Sequence, residues 1–460
     1  MARPPGYNEC MPTLLWMAFL SGCGEGEPTP PPVPVNPADY GDPIGTTPNF
    51  YGFVPKNLLW ISVDTFRRDS LKAYGGTGLT DFLDGLHDSG YALTEHQTLS
   101  NWTFAGTTGN LLGRTHEENG FEPRLSNEFR EPMPEGTPML PDWLRPSGFY
   151  SIVVSSNSWY SPEWRSTQGF DEEWLPTNAA ALNISAEGIT SLESARNAGL
   201  VDRWFLHLHI KEPHAPYNPP VEFLSGLEEL ADVPWDLANK DEQYQAIAEW
   251  GSMTEAEQDL LLKHLRVRYD GELQWTDNLL EAMWIDVAAA GLLEDTLVVV
   301  WNDHGEGFFE HGYQGHAYQL GPEENDGLML FWAKNIVQGT WNEPTSAIDL
   351  APTLLKLYGI DVPAEVTGIP VSEAAYDRPI FSSTVTRLLP RQAVRMGDYR
   401  MEYSWSGAVD MYDRAADPTE TTDLYDPADP IAQALWAALE PQVVLSAPLV
   451  TDLAQNLPAL

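Results

Sequence analysis

The sequence predicts an α/β protein built around a mostly parallel sheet. Two short apolar runs, residues 57–63 and 297–301, have the composition of strands that are buried on both faces of such a sheet. Each run is soon followed by a carboxylate, Asp64 in the first case and Asp303 in the second. Because ligands bind beyond the carboxyl ends of the strands in open α/β sheets, we expect both carboxylates at one site.

Further elements complete the α/β pattern. Apolar runs at residues 148–154, 204–210 and 328–332 predict three more strands. Residues 80–90 place Phe82, Leu83 and Leu86 on one face of a helix, and residues 348–355 open another helix with a proline in its first turn.

The charge of the chain restricts its partners. The 460 residues include 25 Lys and Arg against 67 Asp and Glu, which gives a formal net charge of −42. A field of this sign repels nucleic acid, so nucleic-acid binding is not expected. An anionic substrate would have to be attracted by local positive charge, such as a bound metal ion.

The N-terminus carries an export signal in this interpretation. A short apolar segment, residues 11–20, runs into Leu20-Ser21-Gly22-Cys23, which resembles a bacterial lipoprotein box. We therefore predict a lipoprotein-type signal at 1–23, a membrane anchor at Cys23 and a location in a bacterial cell envelope, lipid-anchored, periplasmic or extracellular. The alternative is an ordinary cleaved signal with an incidental cysteine. Residues 24–54 are rich in proline and predict an extended linker.

Several polar residues are candidates for chemistry. Asp303 and His304 together offer a hard oxygen and an imidazole nitrogen to a divalent cation, although a capping Asp beside an ordinary His is the simpler explanation. The stretch 100–114 leads into a helix start that suits a tetrahedral anion, or else Thr103 only caps that helix. His214 follows a strand, and it is a better candidate than His207 and His209, which could simply be packed inside.

Taken together, these segments resemble the sulfatase family of the alkaline phosphatase superfamily. The resemblance rests on seven pieces in the family's order: Ile61-Ser62-Val63-Asp64-Thr65, Pro213-His214-Ala215-Pro216-Tyr217, Tyr269-Asp270-Gly271-Glu272, Asn302-Asp303-His304-Gly305-Glu306, the spaced His311 and His316, residues 348–355, and Met411-Tyr412-Asp413 with Asp417-Pro418-Thr419-Glu420.

The resemblance implies an α/β fold of the alkaline phosphatase type, with a mostly parallel sheet between helices. It implies a catalytic domain at 55–372 and a small C-terminal α+β subdomain at 373–460. It also implies that Asp64, Asp303 and His304 bind one divalent ion (Ca, Mn, Zn or Mg). Thr103 falls at the family's nucleophile position, and His214 and His316 fall where the family contacts the oxygens of the ester.

The chain departs from the family pattern at its nucleophile. Sulfatases carry Cys or Ser in a Cys/Ser-x-Pro-x-Arg motif and oxidise it to formylglycine, whereas this chain has Thr103, Ala105 and Thr107 at those places. No formylglycine is therefore expected. A metal-activated threonine hydroxyl can still attack phosphorus. Thr65 and the run 155–157 also replace charged residues that the family pattern leads one to expect.

Three hypotheses follow. The first is a metal-dependent hydrolase or transferase that acts on phosphate esters or phosphodiesters through Thr103, on a small-molecule or a glycan- or lipid-linked substrate. The second is a sulfuric ester hydrolase that works without formylglycine. The third is a catalytically inactive surface lipoprotein that binds a glycan or another ligand in the pocket that corresponds to the family's active site. Outside the site, Arg67 and Arg68 are expected in solvent or as anion contacts, and His311 as a residue that orders its loop.

Overall fold

The computed structural model describes residues 39–121, 132–176, 179–384 and 390–456. The predicted signal at 1–23 and the anchor at Cys23 lie outside these residues, as does the first part of the predicted linker, residues 24–38. The end of that linker is packed against the body, because Phe50 is fully buried and its backbone pairs with that of Ile336. Within the described ranges, no helix combines the length and the apolar composition needed to cross a membrane.

The secondary structure alternates between strands and helices. The strands are β1 (Asn57–Val63), β2 (Tyr91–Leu93), β3 (His96–Gln97), β4 (Phe149–Ser155), β5 (Glu172–Trp174), β6 (Arg203–Ile210), β7 (Thr296–Asn302), β8 (Gly307–Phe308), β9 (Gln314–Gly315), β10 (Met329–Trp332), β11 (Gly339–Trp341), β12 (Thr345–Ser346), β13 (Ile380–Thr384), β14 (Arg391–Met396), β15 (Tyr399–Ser404) and β16 (Val409–Asp413). The helices are α1 (Asp81–Ser89), α2 (Thr103–Leu112), α3 (Leu140–Leu144), α4 (Ala181–Asn197), α5 (Lys240–Glu249), α6 (Glu255–Ala289), α7 (Pro322–Asn325), α8 (Leu350–Leu357) and α9 (Pro430–Asn456).

An eight-stranded sheet forms the centre of the molecule, in the order β11-β2-β10-β7-β1-β6-β4-β5. Strand β1 lies in the middle and pairs in parallel with β6 on one side and with β7 on the other. Strand β10 is antiparallel to both of its neighbours, so the sheet is mixed at that side and parallel elsewhere. The carboxyl ends of β1, β6 and β7 therefore meet at one edge of the sheet.

Helices cover both faces of the sheet, which explains why the central strands are mostly apolar and almost entirely buried. In β1, Leu59, Ile61 and Val63 pack in the core on the side of α1, α4 and α6. The alternate residues Leu58 and Trp60 pack in a second core on the side of α2, α3 and α8. This is the α/β architecture that the sequence predicted, and the prediction is confirmed.

The C-terminal subdomain is a four-stranded antiparallel sheet, β13-β14-β15-β16, with α9 packed against it. Its small core joins Val394, Met401 and Met411 of the sheet to Leu435 and Leu439 of the helix. The expected small α+β subdomain is therefore present.

A chain of buried ion pairs ties the subdomain to the main domain. Glu420 accepts hydrogen bonds from Arg400 (2.5 Å) and Arg414 (2.5 Å). Arg414 also donates to Asp326 (2.7 Å), which accepts another hydrogen bond from Arg68 (2.5 Å). These five side chains are almost entirely enclosed, so their charges depend on one another for neutralisation.

We predict that Glu420→Ala lowers the free energy of unfolding by about 3–5 kcal/mol, because it leaves two buried guanidinium groups without their shared carboxylate. Denaturant unfolding measures the effect. The control is Lys263→Ala, which removes an exposed pair with Asp259 on α6 and should leave the unfolding midpoint unchanged. Equal effects of the two substitutions would contradict the role of this network.

His311 makes a second contact to the subdomain, and it titrates. It hydrogen-bonds to Glu323 (2.8 Å) and to the backbone carbonyl of Glu420 (3.2 Å). The bond to Glu323 raises the pKa of His311 to about 9, against the opposing effect of burial. The prediction that His311 orders its loop agrees with these contacts.

Because the pKa is raised on folding, the stabilisation from protonated His311 is complete below pH 6.5 and disappears as the pH rises through about 9. We expect the wild type to be more stable than His311→Gln below pH 6.5 and to lose this advantage above about pH 9. Thermal unfolding of both proteins across this range measures the difference. A difference that does not change with pH would contradict the prediction.

Candidate active site

The candidate site lies at the carboxyl ends of β1, β6 and β7. Asp64 directly follows β1 and Asp303 directly follows β7, and both side chains are completely buried. The backbone N–H of Asp64 donates to the carbonyl of Ile210 at the end of β6 (3.0 Å). Parallel pairing of the three strands therefore brings two carboxylates that are far apart in the sequence to one place.

Four buried polar atoms at this place lack a hydrogen-bond partner in the described part of the chain: Asp64 Oδ1, Asp303 Oδ2, His209 Nε2 and His304 Nε2. His304 Nε2 is 3.5 Å from Asp64 Oδ1 and 3.8 Å from Asp303 Oδ2. His209 Nε2 is 3.7 Å from Asp64 Oδ2. One ligand atom each of Asp64, His209 and Asp303 lies within 4.8 Å of the other two.

The remaining polar atoms of the two aspartates are satisfied, which fixes the orientation of each carboxylate. Asn157 Nδ2 donates to Asp64 Oδ2 (2.8 Å). The backbone N–H groups of His304 (2.9 Å) and Thr65 (3.3 Å) donate to Asp303 Oδ1. Each aspartate thus leaves one oxygen free for a cation.

His304 is held in the tautomer that a metal requires. Its Nδ1 donates to the carbonyl of Gly305 (2.8 Å), because a carbonyl can only accept. Burial lowers the pKa of His304 to about 3, so the ring is neutral and Nε2 keeps its lone pair. A neutral imidazole oriented by a backbone carbonyl is a common arrangement for metal-binding histidines. The residues of this site therefore fit a divalent cation.

The two carboxylates are unequal in their affinity for protons. Burial raises the pKa of Asp303 well above its usual range, and the negative charge of Asp64 adds to this effect. Burial would also raise the pKa of Asp64, but the surrounding imidazoles of His214, His209 and His304 hold it below its usual range. A cation between the two aspartates would remove their repulsion, so binding and proton release are coupled.

Thr103 begins helix α2, and this helix packs directly on Asp303. A side chain at Gly106 would lie 2.2 Å from the carbonyl oxygen of Asp303, so only glycine allows this contact. Thr107 follows Thr103 by four residues and so lies on the same helix face. It accepts a hydrogen bond from Tyr160 (3.3 Å), whose ring centroid lies 4.6 Å from that of His209. The face of α2 that carries Thr103 is therefore turned toward the carboxyl ends of the strands.

His214 and His316 lie together beside the buried cluster. Their ring centroids are 5.1 Å apart, and the His316 ring is 4.5 Å from the His304 ring. Glu306 Oε1 hydrogen-bonds to His316 Nδ1 (3.0 Å), and burial raises the pKa of Glu306 to about 7. His214 and His316 line a shallow pocket with Tyr244, Glu306 and Tyr318, which gives them access to a ligand at the edge of the cluster.

Arg67 and Arg68 differ from the expectation that they lie in solvent or contact an anion. Arg67 is buried and donates to Asp69 (2.6 Å) and Glu310 (2.6 Å), while Arg68 donates to Asp326. Their sequence position suggested exposure because the carboxylates that neutralise them, Glu310 and Asp326, are distant in the chain. Both guanidinium groups are thus paired with carboxylates of the chain.

The structure thus brings Asp64, Asp303 and His304 together and places His214 and His316 beside them. The helix that begins at Thr103 packs on Asp303 through Gly106. Sequence reasoning missed two residues that contact this cluster. His209 was interpreted as a packed residue, and Asn157 was noted only as a departure from the family pattern. The available signal was the position of His209 next to the end of the apolar run at 204–210.

We predict that Asp303→Asn stabilises the metal-free protein at neutral pH. Folding raises the pKa of Asp303, so its stabilising effect is present at low pH and is lost as the pH rises; an amide avoids that loss. Added zinc should raise the melting temperature of the wild type, by an amount equivalent to about 2.7 kcal/mol at a hundred times Kd, and that of the variant much less.

Thermal unfolding with a chelator and with zinc measures both effects. The control is Asp277→Asn, which changes a buried carboxylate of raised pKa that caps α1 through the N–H groups of Phe82 and Leu83. Its response to zinc should equal that of the wild type. A metal-free Asp303→Asn protein that is less stable than the metal-free wild type would contradict the prediction.

Comparisons with known proteins agree with this architecture. The family model described as Sulfatase matches residues 56–360. The chain is 22% identical over 291 residues to an arylsulfatase of Clostridium perfringens, covering 59% of this chain and 57% of that protein. It is 24% identical over 362 residues to a choline-sulfatase of Rhizobium meliloti, covering 73% of this chain and 68% of that protein.

Among solved structures, the phosphonate monoester hydrolase of Silicibacter pomeroyi matches with a TM-score of 0.61 and 16% identity, covering 85% of this chain and 94% of that chain. The fold is thus shared with an enzyme named for phosphorus chemistry as well as with proteins named for sulfate esters. The family match extends over more than half of the chain and includes the strand ends that carry Asp64, His209 and Asp303. The chain belongs to the sulfatase family.

Proposed function

We propose that this protein is a metal-dependent hydrolase or transferase of phosphate esters or phosphodiesters, with Thr103 as its nucleophile. The observation that carries the proposal is the contact between Gly106 and the backbone of Asp303, which sets the first turn of α2 against the buried cluster. The residue at the start of this helix is Thr103. Its side chain lacks the second hydroxyl that a formylglycine hydrate uses to expel sulfate. A threonine oxygen can attack phosphorus and be released again by water.

The residues for the cation are Asp64, Asp303 and His304, with His209 and Asn157 beside them. When bound, a divalent cation would lower the pKa of an adjacent hydroxyl and offset the negative charge of a phosphoryl group. The net charge of the chain is −42, and Arg67 and Arg68 are engaged in ion pairs, so the cation would be the main attraction for an anionic substrate.

The reaction proceeds in two displacements. The deprotonated oxygen of Thr103 forms a bond to phosphorus while the bond from phosphorus to the leaving oxygen breaks, and the leaving oxygen takes a proton from His214 or His316. Water or an acceptor alcohol then attacks the phosphothreonine from the opposite side and gives its proton to the imidazole that protonated the leaving oxygen. The bond from phosphorus to the Thr103 oxygen breaks, and that oxygen leaves deprotonated. The free N–H groups at the start of α2 face the phosphoryl oxygens in both steps.

The proposed substrate is a small-molecule ester or one linked to a glycan or lipid. The proposed leaving group lies toward the pocket beside His214 and His316, and Tyr244 and Tyr318 form part of the wall of that pocket. The proposed location remains the bacterial cell envelope, with anchoring through Cys23. Sulfuric ester hydrolysis without formylglycine and ligand binding without turnover are the alternatives that the following experiment separates.

We predict that Thr103→Ala lowers phosphodiester turnover by the metal-loaded full chain on the order of 10⁴–10⁶-fold, as removal of a nucleophile does, and that Thr103→Ser keeps part of it. The matched control is Thr108→Ala, the same change in the same helix. The hydroxyl of Thr108 is bonded to the carbonyl of Phe104 (2.6 Å) and to His116 (2.9 Å), so its loss should leave turnover within about tenfold of the wild type.

Colorimetric phosphodiester, phosphonate and aryl sulfate substrates measure turnover, and mass spectrometry after acid quenching detects a phosphoryl group on Thr103. Faster turnover of the aryl sulfate would favour the sulfatase alternative. Full activity of Thr103→Ala would exclude this nucleophile. Absence of turnover on every substrate while metal is bound would favour the binding lipoprotein.

A further inference from the structure

We propose that His209 is itself a ligand of the cation and that it makes the site selective for zinc and related transition ions over calcium and magnesium. This inference rests on the metal site of the proposed function. It adds a ligand that the sequence interpretation had assigned to the packed interior, and it narrows the choice of metal that the residues at the strand ends left open.

Strand β6 and its neighbours hold the His209 ring beside the two aspartates. His209 is the next-to-last residue of β6 and stands opposite Ser62 in the parallel register with β1. Its Nδ1 hydrogen-bonds to Ser62 Oγ (2.8 Å), and the Tyr160 ring packs against it with centroids 4.6 Å apart. The ring is therefore fixed, with Nε2 3.7 Å from Asp64 Oδ2 and a ring nitrogen within 4.8 Å of an oxygen of Asp303.

The unpartnered nitrogen of His209 is buried. The His209 side chain is fully enclosed, and its Nε2 has no hydrogen-bond partner among the described residues. The distance of 3.7 Å to Asp64 Oδ2 is too long for a hydrogen bond. A buried nitrogen without a partner is unfavourable, and it is explained if a cation occupies the space between His209 and the two aspartates.

The neighbouring histidine on the same strand provides a contrast. His207 lies on the same strand face two residues earlier and is equally buried. Its Nε2 hydrogen-bonds to Ser62 Oγ (3.0 Å), and its Nδ1, like Nε2 of His209, has no partner among the described residues. It packs against Trp60 and Phe205, away from the aspartates. His209 therefore differs from His207 in its distance from the aspartates, because it alone of the two lies 3.7 Å from Asp64 and groups with Asp303.

The donor set determines the metal class. Asp64, Asp303, His304 and His209 offer two carboxylates and two imidazoles. Calcium requires six to eight oxygens and magnesium a nearly ideal octahedron of oxygens, whereas imidazole nitrogen favours zinc, iron and cobalt. Asn157 also occupies one oxygen of Asp64, which reduces the number of oxygens available to a larger ion.

The test is a competition between metals on the full chain. The chelated protein is dialysed against equal concentrations of Zn²⁺, Mn²⁺, Ca²⁺ and Mg²⁺, and its metal content is measured by elemental analysis. We expect about one zinc per chain and little of the other three. Retention of calcium or magnesium in preference to zinc would overturn the proposal.

The matched pair His209→Ala and His207→Ala separates a ligand from a nearby supporting residue, because both changes remove one buried imidazole that contacts Ser62. Calorimetry measures the zinc affinity of both variants. In His209→Ala the affinity should fall by more than about 100-fold, since loss of a supporting residue typically costs about 10–100-fold. In His207→Ala it should fall by less than about tenfold. The absorption spectrum of the Co²⁺-loaded protein should change only in His209→Ala. Equal affinities of the two variants, or an unchanged cobalt spectrum in His209→Ala, would overturn the assignment.

His209→Asp keeps the proposal testable if the alanine variant fails to fold. This variant replaces the imidazole nitrogen with a carboxylate oxygen, so the metal bound in the competition should shift from zinc toward manganese and calcium. An unchanged preference for zinc would contradict the proposal. Thr103→Ala should still bind about one zinc per chain, because the four proposed ligands remain. If the protein turns over no ester but still binds zinc, the proposed function fails and the assignment of His209 stands. If the protein is an active enzyme that prefers calcium, only the assignment of His209 fails.

Discussion

The repulsion between Asp64 and Asp303 is the constraint on which the rest of the site depends. Parallel pairing of β1 and β7 leaves no freedom to separate the two carboxylates, because each follows the last residue of its strand. Both are fully buried, and a buried pair of like charges is strongly unfavourable without a counterion. The surrounding residues can be understood as the means by which the chain orients these two groups around a cation.

The neighbouring elements fit this constraint closely. Glycine at position 106 lets α2 approach the backbone of Asp303, and that approach brings the start of the helix to the cluster. Asn157 donates to Oδ2 of Asp64, while Oδ1 of Asp64 lies 3.5 Å from His304 Nε2. In this chain, an uncharged amide holds Asp64 where the family pattern led us to expect positive charge. A cation is left as the group that can balance the two aspartates.

The sequence predicted the fold because the strands that hold the site have a simple pattern. Strands β1 and β7 are continuous apolar runs, and a run buried on both faces can be recognised without knowledge of its neighbours. The ends of these runs located Asp64 and Asp303. His209 could not be assigned in the same way, because its role depends on the register between β6 and β1, which no local pattern encodes.

Asn157 and Arg67 are two further residues whose partners cannot be found from the local sequence. A single asparagine after a strand carries no signal of its partner, and Asp64 lies 93 positions away. Arg67 was expected in solvent because its local sequence is polar, yet the burial of its side chain depends on Glu310, 243 positions away. Pairing of charges across the fold therefore decided which polar residues reach the site and which are neutralised outside it.

Anomalous X-ray diffraction from crystals of the metal-loaded full chain tests the central claim most directly. The account predicts one strong peak among Asp64, Asp303, His304 and His209, with the Thr103 oxygen next to it. A peak elsewhere in the chain, or ordered aspartates with no metal between them after loading, would contradict it.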